Sequence, residues 1–476
     1  MSLFSSLLSS RSTLQTFQKG LSVAQNNVAN VNTPGYVKQR LPLQAAQFDP
    51  ERGIAGGVNS GPVESGRNDF LDRSIRGHQQ NTGYYEQKSS LLTAIENQFD
   101  VTGQGGLNTT LNQFFQAFSS LSVSPNDPVQ RNKVISSAQD LVAGFRSLTG
   151  RLDEIAGNVD QQLDQNVKQI NELAGQLAKM NAAVVAGGSN DPALDASINA
   201  TLEQLSNLAP VNVLQQQDGS YTVLLAGRVP LVTGAHTQSI QVESNVAGSA
   251  PGNTGAPSSV RVHSQEGVDV TQALTGGQLG ALVEVRNTTL AGLRGDGNQQ
   301  GSINQLAESI ARRVNTLLSA GQTTDTPPQA GVPLFTYDPS QPAAIVRTLA
   351  VNPALTPDRI ATANPGPPAV SNGIALQLAG LAQSTDPADQ INGATYQNFF
   401  GNVIAGVGRE SAAASSNQNL EKSMLSQAET LRQDTSGVNL DEEALYMLQF
   451  QRAYQATSQF IRALDDVTQQ TLAIIR

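Results

Sequence analysis

The chain has three histidines and no cysteine, so His78, His236 and His263 are the side chains best placed to titrate near neutrality. They share no short spacing with one another or with carboxylates. Neither a zinc-type ligand set nor a nucleophilic triad can be assembled from them. The adjacent acids Glu442-Glu443 and Asp465-Asp466 invite a general acid/base reading. Neighbours on a helix, however, point about 100° apart and do not converge on one group. Glu442 and Glu443 suit instead the opening turn of a helix, where negative charge complements the dipole. Gly103-Gln104-Gly105-Gly106 and Gly276-Gly277-Gln278-Leu279-Gly280 lack the preceding strand and the spacing of a phosphate loop, and read as turns. Asn108, Asn199 and Asn287 open N-x-[ST] triplets, which carry little information without a eukaryotic secretory route. No catalytic residue, cofactor or metal site is expected, and hence no enzyme.

The elements with a clear purpose lie at the two ends. Leu3, Leu7, Ser10, Leu14, Phe17, Leu21, Ala24, Val28 and Val31 alternate steps of four and three, as do Met447, Phe450, Tyr454, Thr457, Ile461, Leu464, Thr468, Thr471 and Ile475. That spacing keeps one helical seam turned towards a partner helix. The first 40 residues hold Arg11, Lys19, Lys38 and Arg40 and no acid, while the last helix opens with Asp441, Glu442 and Glu443. Opposite signs favour pairing but set little of its strength, since exposed pairs contribute about 0 to 1 kcal/mol each. A chain built this way closes on itself or zips into neighbours.

At 476 residues the chain exceeds one core and should split into about three domains. A net charge of -10 without a basic stripe argues against nucleic acid as a partner. The absence of cysteine makes the chain indifferent to redox compartment. The N-terminus lacks a positive n-region and its apolar residues are periodic, so it does not read as a cleaved signal; no run of about 18 apolar residues offers a membrane span.

The first helix should stop at Asn32-Thr33-Pro34-Gly35, where proline biases its predecessor away from helix and glycine supplies a turn. Short extended pieces follow to about Arg67. From Val129 to about Val184 the apolar positions run with helical spacing, with one four-residue stutter after Val159, predicting a rod roughly 80 Å long. Composition changes at Gly187-Gly188. After a short helical piece around Leu202 and Leu205, residues 211 to 270 read as strands, with a Gly/Ser/Pro/Asn loop over 245 to 259. Helical spacing returns at Leu279, a Pro-rich segment covers about 321 to 370, and a helix near 395 to 432 precedes the Ser436-Gly437 break.

The stretch Asn26-Asn27-Val28-Ala29-Asn30-Val31-Asn32-Thr33-Pro34-Gly35-Tyr36 resembles the N-terminal signature of bacterial flagellar axial proteins, the rod, hook and hook-associated family. Ser436-Gly437-Val438-Asn439-Leu440-Asp441-Glu442-Glu443 and Gln449-Phe450-Gln451-Arg452-Ala453-Tyr454-Gln455-Ala456 resemble the C-terminal end of its hook-associated members. Asn68 to Arg73, Gly280 to Arg286 and Leu349 to Leu355 are similar to internal stretches of those members.

The resemblance implies a non-enzymatic junction between hook and filament, assembled as a ring of copies of itself at the distal end of the hook. Implied partners are the hook protein, the next hook-associated junction protein and an export chaperone on the C-terminal helix; the implied location is the extracellular flagellum, reached by type III export without a cleaved signal. A hook or rod structural protein is the alternative reading, with a secreted adhesin or enzyme behind it.

The fold expected is mainly α, a long helical bundle or coiled coil with an inserted small β domain and nested, discontinuous domains. Residues 1-70 with 436-476 would form the terminal assembly domain, 71-190 with 271-435 the long-helix rod domain, and 191-270 the β-rich outer domain. The expected assembly interface comprises Leu7, Leu14, Phe17, Leu21, Asn27, Val28, Asn30, Asn32, Pro34, Gly35 and Tyr36 at one end. At the other it comprises Gly437, Asn439, Leu440, Glu442, Glu443, Met447, Phe450, Gln451, Tyr454, Ile461 and Leu464.

Overall fold

The computed structural model describes residues 3–49, 51, 54–99, 106–188, 191–244, 259–366 and 370–475. The Gly103-Gln104-Gly105 stretch and loop residues 245–258 lie outside the described residues, as do the side chains of Leu3 and Ile475. The protein is mainly α, and its two ends meet. Helix α1 (Leu3–Ala29) packs along the last helix, α12 (Leu440–Ile475). Gly20 faces the Phe450 ring while Ser6, Ser9 and Ser10 share a groove with Thr457 and Phe460, so the two helices run antiparallel.

Between α1 and the next helix the chain forms one arm of six short strands: β1 (Gln39–Arg40), β2 (Leu43–Ala45), β3 (Phe48–Asp49), β4 (Ile54–Ala55), β5 (Val58–Ser60) and β6 (Glu64–Ser65). They pair β1 with β6, β2 with β5 and β3 with β4, all antiparallel, which is the pattern of a single long hairpin. Small hydroxyl residues of α1 dock it. Thr13 Oγ1 accepts from the Val58 N–H at 3.1 Å, Thr16 Oγ1 donates to the Val58 carbonyl at 3.3 Å, and Ser9 Oγ bonds the Gly56 carbonyl. These bonds give partners to the Val58 N–H and to the Val58 and Gly56 carbonyls on the side of the arm that faces α1.

The body begins with α2 (Asp69–Glu96), whose N-cap Asn68 accepts from the Phe70 and Leu71 N–H groups and whose first turn carries Asp69 and Asp72. Then come α3 (Leu107–Val123) and the 56-residue α4 (Pro128–Ala183), with Asp127 as N-cap and Pro128 in the first turn. Val134, Leu141, Phe145, Leu148, Leu152, Val159, Leu163, Ile170 and Leu177 all lie buried on one side of α4. The stutter after Val159 is absorbed without a break, because Leu163 and Val167 stay on that side. At about 1.5 Å per residue α4 is roughly 84 Å long.

Helix α5 (Pro192–Leu208) is longer than its two spaced leucines suggest and packs against α2 and α4, so the β region itself starts at Val211. There β7 (Val211–Gln215), β8 (Tyr221–Leu225), β9 (Val229–Thr233) and β10 (His236–Thr237) form an antiparallel sheet in the order β10-β9-β8-β7. A separate hairpin pairs β11 (Ile240–Ser244) with β12 (Val260–Ser264).

Helical asparagines tie this β region down. Asn181 donates to the Tyr221 and Gly234 carbonyls at 2.8 Å and accepts from the Tyr221 N–H at 2.9 Å. Asn171 pairs in the same two-way fashion with the backbone of Ile240, and Asn287 with that of Val260. Asn181 is fully buried, and Asn181→Ala removes the partner of three partly buried backbone groups. It is expected to cost about 1 to 3 kcal/mol, read as a lower urea midpoint; an unchanged midpoint contradicts this account of the anchor.

The chain returns through α6 (Gly277–Glu284), a π-helical turn, α7 (Ala291–Arg294), α8 (Ser302–Ala320), α9 (Ile345–Thr348) and α10 (Gly373–Gly380) to α11 (Tyr396–Ser436). Helix α11 lies antiparallel along α2, with Arg432 by Asp72, Glu421 by His78 and Glu410 by Lys88. One apolar core runs through the body from Leu91 to Val407, including Phe114 packed edge-on to Phe115 and Phe118.

Candidate assembly interface

The histidines serve separate local contacts. His78 Nδ1 lies 2.9 Å from Glu421, His263 Nδ1 lies 2.9 Å from the Ser264 carbonyl, and His236 sits exposed in β10. Among the described residues no group of three or more His, Asp or Glu side chains is arranged to hold a metal.

The motif after α1 is a folded knot of side-chain-to-backbone bonds. Asn27 is 1 % exposed. It donates to the Gln39 carbonyl at 2.9 Å and accepts from the Gln39 N–H at 3.0 Å and the Tyr36 hydroxyl at 2.8 Å. It thus clamps the first strand of the arm against the end of α1. Asn30 does the local capping, donating to the Asn26 carbonyl at 2.9 Å and accepting from Thr33 Oγ1 at 3.2 Å. Asn32 and Pro34 face solvent on the outside of the turn.

Gly35 adopts φ +75°, and a Cβ placed there would lie 2.4 Å from the Ala196 carbonyl oxygen of α5. Only glycine combines that backbone conformation with that approach.

The start of α12 meets this knot from the other side. Asn439 caps the helix, accepting from the Asp441 N–H at 2.9 Å, and Gly437 closes α11 by donating to the Gln433 carbonyl at 2.9 Å. Lys38 donates through its backbone N–H to the Ser436 carbonyl at 2.8 Å and through Nζ to Glu442 at 2.5 Å. The side-chain hydrogen bond from Lys38 and then its charge hold the Glu442 carboxyl below the usual range. Glu443 is buried beside the motif. Burial, with the Glu443 charge in second place, pushes the Tyr36 hydroxyl up to about 12.

Burial, followed by Asp389, pushes Tyr396 up to about 12 as well. Because these hydroxyls hold their protons more tightly folded than unfolded, their contribution is complete below the ordinary value of 10.0 and is lost as pH rises through about 12. Tyrosinate absorbance is expected to grow in two waves, the later one accompanied by loss of helical signal. A single wave at the ordinary value contradicts the burial of these rings.

Along the paired helices, Leu7, Leu14, Phe17, Leu21 and Val28 are half-buried, as are Met447, Phe450, Tyr454, Ile461 and Leu464. The Phe17 and Phe450 rings sit 6.5 Å apart at 41°. Leu440 and Gln451 turn to solvent.

Sequence reasoning missed a second stripe on α12, formed by Leu445 at 60 % exposure, Leu448 at 50 % and Val467 at 46 %, with Phe460, 55 % exposed, at its border with the groove against α1. Ala456 and Ala463 lie between them, also exposed. From Leu445 the offsets to Ala456, Phe460, Ala463 and Val467 are near multiples of 3.6, and that repeat was the available signal. Arg452 and Gln459 interrupt it. The helix thus carries one stripe on its partner and a second largely open to water.

Residues 92–335 match the family model described as "Flagellar hook-associated protein FlgK helical domain", which is about half of the chain. The chain belongs to the flagellar hook-associated FlgK family. Its ends match two further flagellar models, "Flagella basal body rod protein" over 7–36 and "Flagellar basal body rod FlgEFG protein C-terminal" over 432–474.

Among curated proteins, flagellar hook-associated protein 1 of Bacillus subtilis is 25% identical over 507 residues, covering 98% of this chain and 97% of the relative. The protein of the same name from Escherichia coli is 23% identical over 546 residues, covering 95% and 96%. A solved structure described as the flagellar hook junction protein FlgK from Burkholderia pseudomallei superposes with a TM-score of 0.62 at 15% identity, covering 76% of this chain and 99% of that one. At that identity the likeness concerns the fold.

FlgK-family membership makes this a structural flagellar protein and not an enzyme. No described helix is long and apolar enough to cross a membrane.

Proposed function

We propose that this protein joins hook to filament, as a ring of copies at the distal end of the hook. The observation that carries the reading is α12, with one apolar stripe on α1 and a second open to water at the end of the molecule that matches the flagellar rod models. Terminal domain 1-70 with 436-476 would make the ring contacts, rod domain 71-190 with 271-435 would surround them, and 191-270 would face outward. The hook protein would lie on one side and the next hook-associated junction protein on the other. Export to the extracellular flagellum would proceed without a cleaved signal, with a chaperone covering the open stripe of α12 on the way. The names of the full-length relatives support this reading.

A hook or rod role is the second reading, favoured by the rod-type models at both ends. Immunogold labelling of isolated flagella with antibody to this chain separates the two. A single band at the hook–filament boundary is expected; label along the hook or at the base would replace the junction reading.

A further inference from the structure

The chain passes between its terminal coil and its body twice, once from the arm into α2 and once from α11 into α12. At the first crossing stands Arg67, with its side chain only 8 % exposed. Its Nε donates to Asp195 of α5 at 2.9 Å, its Nη1 to Asp72 of α2 at 3.0 Å, and its Nη2 to the Gly35 carbonyl at 2.7 Å. One planar fork therefore holds two helices of the body and the turn that ends α1.

The second crossing is tied to the same group. Asp72 also pairs with Arg432 of α11 at 3.5 Å, and Arg432 pairs with Glu203 of α5. Four residues beyond Arg432, the Ser436 carbonyl receives the Lys38 N–H.

Burial works against the Arg67 charge, yet Asp195 and Asp72 together more than offset it and raise its pKa above the ordinary arginine value. Such a partly desolvated, fully bonded cluster adds less to stability than to uniqueness of geometry. A guanidinium does this where an ammonium cannot, because its donors are fixed in one plane.

We propose that Arg67 is a positioning residue that locks the terminal coil onto the body in a single orientation, gripping the Gly35 carbonyl while Asp72 and Asp195 hold the guanidinium. In a ring, that orientation sets how each body leans from the coil. Only this consequence rests on the junction reading; the lock is a property of one chain.

The chain's lack of cysteine makes it directly testable by spin labelling of the full-length protein. Ser22→Cys with Gln427→Cys spans the node, and Ser22→Cys with Gln459→Cys lies within the coil; all three positions are exposed. A single narrow distance is expected for each pair in the otherwise unsubstituted protein. Arg67→Gln is expected to spread the first distance over many values and leave the second narrow; because it also leaves the nearly buried Asp72 with Arg432 alone, a lower unfolding midpoint of the body accompanies it. Asp195→Asn should reproduce the effect, and it stands in if Arg67→Gln does not fold. The proposal is overturned if the spanning distance stays narrow in the variants, or if it is already broad without them. Both readings are made on single chains, so neither outcome bears on whether the protein sits at the hook–filament boundary.

Discussion

Ile461→Asp, or Leu21→Asp on the facing helix, is expected to abolish filament attachment while the body keeps its own unfolding midpoint. Both side chains are half-buried in the α1–α12 seam. Placing the charge there costs the apolar contact, worth about 1.5 to 3 kcal/mol when fully buried, and adds the desolvation of an ion. The alternative is for the helices to separate. The continuous core from Leu91 to Val407 does not include either residue, so its cooperative unfolding is expected to be unaffected. Swimming assays with electron microscopy report attachment, and urea unfolding reports the body. Normal filaments in both variants would remove the coil from the account.

The second large effect is expected from Gly35→Val. At φ +75° a β-branched residue is strained by about 1 to 3 kcal/mol, and the added carbon meets the Ala196 carbonyl at 2.4 Å. The turn must then leave α5, and the Gly35 carbonyl loses the Arg67 donor that it accepts at 2.7 Å. Hydrogen exchange is expected to accelerate across residues 30–40 and at the start of α12, with loss of motility. Gly35→Asn separates the two causes, since asparagine tolerates the left-handed region but still collides with α5. It should be as defective as valine if the collision dominates and markedly milder if strain does. Wild-type exchange and motility for Gly35→Val would show that the turn is not a fixed contact.

The seam was legible because a strict alternation of four and three survives in the sequence over whole helices. Helix α4 was readable to within a residue at each end because helical spacing continues through its one stutter from the Pro128 break to the Gly187-Gly188 change. The second stripe of α12 was harder to see, since Arg452 and Gln459 break it and its aliphatic members are spread over 23 residues from Leu445 to Val467.

The Asn-rich motif shows a different limit. Asn30 bonds locally, to the carbonyl four residues back, as asparagine commonly does where a helix ends. Asn27, however, reaches twelve residues ahead to Gln39, a partner that no local rule names. Long-range pairs were invisible altogether: Arg67 and Asp195 lie 128 positions apart, and each alone looks like a surface charge. Asn171, Asn181 and Asn287 likewise find backbone partners 27 to 69 positions away. Periodicity reports which face an element buries; it does not report which distant backbone a buried amide or guanidinium satisfies.

The most direct test of the junction assignment is electron microscopy of cells deleted for this gene, with filament protein assayed in the medium. Bare hooks of normal length together with shed filament protein are predicted. Missing hooks would move the protein down to the hook or rod, and intact filaments would contradict a role in joining them at all.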